Sequence, residues 1–66
     1  MTNAIVEILD FMEKNKEKEF TATEINKKLN MENSTTKLLR LYQQRYLIRE
    51  NKIINGYRRF VYKYKE

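Results

Sequence analysis

Asn33, Lys37, Arg40 and Gln44 follow one another at intervals of four, three and four residues. That spacing sets side chains on one side of an α-helix. Their chemistry is that of paired hydrogen bonding. The Asn33 amide offers a donor beside an acceptor and matches the N6/N7 edge of adenine. The Arg40 fork matches guanine O6 and N7, Gln44 offers a further amide, and Lys37 supplies a cation for guanine or phosphate. Ser34 and Thr36 bring hydroxyls near the start of the same helix, where free backbone amides favour an anion. No acidic residue falls on this side, whereas a merely solvated helix usually mixes charges of both signs. A second group, Lys52, Arg58 and Arg59, lies about the one glycine, Gly56, in the stretch NKIINGYRRFVYKY. Arginine there suits phosphate oxygens or a narrow groove of negative potential.

The remaining chemistry is sparse. The 66 residues contain no histidine and no cysteine, which removes the commonest general base and metal ligand, any disulfide framework and any thiolate site. Glu17 and Glu19 sit in a charged loop without apolar surroundings to shift a carboxyl pKa. There is no glycine-rich phosphate loop and no nucleophile–base pairing. The expectation is a non-enzyme without cofactor, metal or small-molecule ligand. No apolar run approaches the roughly 18 residues that span a membrane, and the first residues lack the features of a signal peptide. These features point to the cytoplasm, with nucleoid association if the source is prokaryotic. Residues 1–36 carry five lysines against seven acids, and residues 37–66 carry nine basic residues against two acids. One end therefore holds all the positive excess, as expected of a polyanion-binding face.

The elements that must position these groups form one domain, residues 1–66, of α+β class. Ile5, Ile8, Leu9 and Met12 make the inner stripe of a first helix capped by Thr2 or Asn3. Val6 and Phe11 flank that stripe, either as a partner surface or as packing under the C-terminal segment. Phe20 reads as a short strand residue plugging the core. Thr21 and Glu24 form a capping box for a short second helix with Ile25 and Leu29 inward, stopping near Asn30. A third helix, capped by Asn33 or Ser34, is expected to turn Thr35, Leu38, Leu39, Tyr42 and Tyr46 inward and to leave Leu41 on the margin of its outer face.

From Leu47 the pattern switches to period two, and Asn55-Gly56 marks a hairpin. Phe60, Tyr62 and Tyr64 read as core residues. A two-residue loop would pair Ile48 with Lys63 and mix the apolar faces. A three-residue loop, Ile54-Asn55-Gly56, places Ile48 opposite Tyr62, keeps the faces consistent and puts Gly56 at a left-handed position. A loop of Asn55-Gly56-Tyr57 is also consistent but gives that position to tyrosine.

Helix, short helix, turn, longer helix and basic hairpin together resemble a winged helix-turn-helix domain. The residues that carry the resemblance are FTATEINKKLN, STTKLLRLYQQRYLIRE and NKIINGYRRFVYKY, which with the first helix cover essentially the whole chain. Tyr46 stands where many members have glycine, and the turn between the second and third helices is about one residue longer than usual. The resemblance implies double-stranded DNA as partner and a role in transcription regulation. The third helix, about 33–45, would enter the major groove, and the wing, about 47–64, would lie on phosphates or the minor groove. Asn33, Ser34, Thr36, Lys37, Arg40, Gln44, Lys52, Arg58 and Arg59 are the expected DNA-binding residues. A homodimer would use the first helix or the wing. Two other readings are an abundant chromatin-type protein of low sequence specificity, and a protein-interaction module using Val6 and Phe11.

Overall fold

The computed structural model describes residues 3–66. Among them lie α1 (Ala4–Lys14), β1 (Phe20–Thr21), α2 (Ala22–Leu29), α3 (Thr35–Gln43), β2 (Leu47–Ile54) and β3 (Tyr57–Tyr64), in that order. The strands form one antiparallel sheet of order β1-β3-β2. The α+β class, the three helices, the short strand at Phe20 and the C-terminal hairpin agree with the sequence reading. No helix among the described residues is long and apolar enough to cross a membrane.

Local chemistry accounts for the helix ends. Asn3 caps α1 by accepting from the Ile5 amide at 2.9 Å; Thr2, the alternative cap, lies outside the described residues. The capping box of α2 is complete: the Glu24 amide donates to the Thr21 hydroxyl at 3.2 Å, and the Thr21 amide donates to the Glu24 carboxylate at 3.0 Å. α2 stops at Asn30, whose φ of 53° is left-handed, a conformation asparagine tolerates better than most residues. α3 ends in a Schellman arrangement. The Tyr46 amide reaches back to the Leu41 carbonyl and the Arg45 amide to the Tyr42 carbonyl. The left-handed residue this requires is Arg45, at φ 68°. A glycine would usually take that place.

The core is a small cluster in which Ile8 and Met12 of α1, Phe20, Ile25, Leu38, Leu41, Leu47 and Tyr62 are buried. Phe11 joins it from the flank of α1, with its ring 5.0 Å from that of Phe20, whereas Val6 stays exposed. Tyr64 packs at the edge of the cluster and donates its hydroxyl to Glu13 at 3.1 Å.

Two sequence expectations are corrected. The hairpin register pairs Ile54 with Tyr57 and Ile48 with Lys63, so the loop is Asn55-Gly56 alone and not Ile54-Asn55-Gly56. Both loop residues have positive φ, 53° and 82°, as a type I′ turn requires, and that turn matches the right-handed twist of paired strands. The demand for one apolar face does not apply along the whole hairpin. Only its root meets the core, and every residue from Asn51 to Phe60 is exposed. Phe60 is accordingly not a core residue, while Tyr62 is.

The second correction concerns the phase of α3. Leu38 and Leu41 are buried, Leu39 is half-buried, and Thr35, Tyr42 and Tyr46 are exposed. The helix is therefore rotated about its axis relative to the expectation. Leucines take the interior, and the tyrosines, which carry a polar tip, remain partly in water.

Candidate functional site

Ser34 joins α2 to α3. Its hydroxyl donates to the Ala22 carbonyl at 3.1 Å and its amide donates to the Asn26 side chain at 3.0 Å. It is completely buried. Ser34 is therefore a clamp between the two helices and not a solvent-facing phosphate contact. Its polarity at an inward position is tolerated because both polar groups are satisfied.

With α2 and α3 locked together, α3 presents Thr36, Arg40 and Gln43 on its exposed side, followed by Gln44 at the helix end. Gln43 was not among the residues expected there; it follows from the corrected phase. Asn33 is exposed, but its amide oxygen accepts from the Thr35 amide at 3.2 Å, so the cap competes with any outward use of that acceptor. Lys37 is half-buried on the flank, with its ammonium 3.5 Å from the Asn33 carbonyl.

The hairpin stands beside α3, and one side chain ties the two together. The Arg49 guanidinium carbon lies 4.5 Å from the centre of the Tyr42 ring on α3 and 4.3 Å from that of Phe60 on β3. Cation–π contacts of this geometry contribute about 0.5–2 kcal/mol each depending on desolvation. They hold a charged group between helix and hairpin. Arg49 was absent from the expected residues. Its signal in the sequence is its place two residues after Leu47, which returns it to the core-facing side of β2 just beyond the core.

The three expected hairpin cations separate. Arg58 lies opposite Ile53, on the same face as Phe60 and Arg49. Arg59 lies opposite Lys52 on the other face. Both border a cleft against the start of α2, with Thr21, Thr23, Thr35 and Phe60. Lys52 does not join them. Glu19 holds its ammonium through both carboxylate oxygens, at 2.7 and 2.9 Å, with Glu50 at 3.7 Å. The Glu19 hydrogen bond raises the Lys52 pKa above its ordinary 10.5 against a smaller lowering by burial. A lysine so neutralised is a poor choice for an incoming anion.

The arginines are set apart by their placement, since freedom from ion pairs among the described residues is shared by Lys18, Lys27, Lys28, Lys37, Lys63 and Lys65. Ion pairs among the described residues engage Lys14, Lys16 and Lys52. None engages Arg40, Arg45, Arg49, Arg58 or Arg59. All five lie on α3, on its C-terminal turn or on the hairpin. Guanidinium forks are thus available on the α3–hairpin side, where the paired cation is Lys52, held by Glu19 and Glu50. A scan of protein-family models, a search of curated proteins and a search of solved structures each gave no match to this chain.

Proposed function

We propose that the chain is a winged helix-turn-helix domain that binds double-stranded DNA and acts as a transcription regulator. The observation that carries this reading is the set of five arginines without ion-pair partners among the described residues, gathered on α3 and the adjoining hairpin. In this reading the exposed side of α3 enters the major groove. Arg40 reads guanine, Gln43 and Gln44 offer amides to base edges, and Thr36 contacts a phosphate. Arg58 follows the backbone from the hairpin face it shares with Arg49. Arg59 and the Thr23 hydroxyl serve the cleft at the start of α2, where a phosphate oxygen would find donors from two directions. Ser34 and Lys52 are assigned no contact.

The test is binding to an AT-rich and a GC-rich duplex of about 30 base pairs, roughly three helical turns, across a salt series. Affinity should fall by about 0.9 log units per decade of salt for each phosphate neutralised. Arg58→Ala should weaken both duplexes alike and lower that slope by about one unit. Lys52→Ala should leave the slope unchanged. Arg40→Ala should lower affinity by about 1–3 kcal/mol on the preferred sequence and relax the preference. If neither duplex binds at low salt, the reading fails.

A further inference from the structure

β2 is the edge strand of the sheet, and its outer side has no neighbour among the described residues. Eight residues long, it contains no proline and pairs with β3 without a bulge. Unpaired backbone groups on such an edge invite another strand, and the blunting devices here are limited to the charges of Arg49, Glu50 and Lys52. Ile48, Ile53 and Ile54 also lie on this strand, exposed at 39%, 73% and 37%.

The direction of the free backbone groups can be fixed. The two residues flanking a two-residue loop exchange both hydrogen bonds, so Ile54 and every second residue before it face β3. The Lys65 amide bonded to the Tyr46 carbonyl at 3.2 Å continues the same parity. Arg49, Asn51 and Ile53 therefore turn their amides and carbonyls outward. A second β2 pairing antiparallel must match these residues with one another. Near the middle of the strand that leaves three registers, with Glu50, Asn51 or Lys52 opposite its own copy. The first opposes two glutamates and the last two lysines, and like charges directly opposed are destabilising. The register centred on Asn51 opposes neither pair of like charges. Glu50 lies across from Lys52 of the second copy, whose ammonium Glu19 of its own chain already holds, so the register is favoured by avoiding glutamate against glutamate and not by a new ion pair. It also sets Ile48 against Ile54, and lays the Arg49 stem beside Ile53.

The geometry points to a second copy of this chain as the occupant of the β2 edge, paired antiparallel about Asn51 into one continuous six-stranded sheet. The contact is isologous, the arrangement that closes a dimer and leaves no repeating edge. It does not depend on the DNA-binding reading.

The chain has no cysteine, so Asn51→Cys gives a single thiol on the proposed axis. Paired Cα atoms about 5.5 Å apart suit a disulfide. Sedimentation of the unmodified chain up to millimolar concentration should show a monomer–dimer equilibrium. On oxidation Asn51→Cys should cross-link, whereas Ile53→Cys should not, because that residue faces Arg49 and lies four residues from its own copy. Glu50→Lys should weaken the dimer by about tenfold or more. Glu50→Lys with Lys52→Glu and Glu19→Lys should restore it, since reversing all three signs keeps the contact between positions 19 and 52 within each chain. Circular dichroism of each exposed variant verifies that it is folded. A chain that stays monomeric throughout overturns the inference. So does a dimer that cross-links equally through Ile53→Cys, or through Val6→Cys on α1 and not through Asn51→Cys.

Discussion

Arg45 shows how one residue can hold structure and charge in opposition. Its φ of 68° is a conformation that costs an L-residue with a side chain about 1–2 kcal/mol relative to its preferred backbone. Glycine is free of that cost, though it loses more chain entropy on folding. Arg45→Gly is therefore expected to stabilise the domain by about 0.5–1 kcal/mol, which in a chain of this size raises Tm by roughly 3–6 °C. The same change removes one unpaired guanidinium from the proposed DNA face. Duplex affinity should drop and the salt slope should flatten. Thermal melting and the duplex titration read the two effects separately. Tyr46, the place where the family resemblance would put glycine, is not the left-handed residue; the left-handed turn lies one residue earlier.

Among the elements, the α2–α3 joint rests on two hydrogen bonds that involve side chains, and their removal should not be equivalent. Ser34→Ala deletes a donor to the Ala22 carbonyl and leaves the Asn26–Ser34 amide bond in place. Its expected cost is about 1 kcal/mol. Asn26→Ala leaves the Ser34 amide without its acceptor inside the joint, and the expected cost is about 1–3 kcal/mol. Urea unfolding of the two variants orders them. Because stabilities of small domains are only a few kcal/mol, the second change takes the larger share of what holds the chain folded. The helix boundaries and the capping box were legible because they depend on neighbours within one turn: Thr21 with Glu24, Asn3 with Ile5. The phase of α3 was not. A nine-residue helix offers too few turns for periodicity alone to choose between leucines and tyrosines as the inner row. The buried Ser34 looked like a surface residue because its partners, Ala22 and Asn26, lie on another helix. The hairpin register was misread because its apolar residues were assumed to face a core that stops at the hairpin's root. The nine DNA-contact residues read from the sequence accordingly split. Thr36, Arg40, Gln44, Arg58 and Arg59 are exposed on α3, at its end or on the hairpin; Asn33 and Lys37 are engaged by local backbone bonds at the start of α3; Ser34 and Lys52 are turned inward or already paired.

At the scale of the whole molecule, two side-chain contacts, Lys52 to Glu19 and Tyr64 to Glu13, add to the short β1–β3 pairing in fastening the hairpin to the first half of the chain. Each glutamate, chiefly through its hydrogen bond, raises its partner's pKa, above 10.5 for Lys52 and above 10.0 for Tyr64. Groups that hold their protons more tightly when folded stabilise fully below the unfolded pKa, and that stability is lost as pH rises through the folded value. Both contributions should thus be constant from neutral pH to about 10 and then fade. Glu13→Gln with Glu19→Gln should melt lower than the unmodified chain at pH 7, with the two melting curves converging in strong alkali. Melting temperatures followed by circular dichroism across that range decide it. Beyond these fastenings the hairpin from Asn51 to Phe60 has no buried side chain. Its backbone bonds can open without disturbing the core, so its amides should exchange with solvent far faster than those of α1. An arm that frays when free must be ordered by whatever it grips, and that loss of chain freedom is subtracted from the strength of the grip. Stiffening the Asn55-Gly56 turn would then tighten association without altering a single contacting atom, and loosening it would do the reverse.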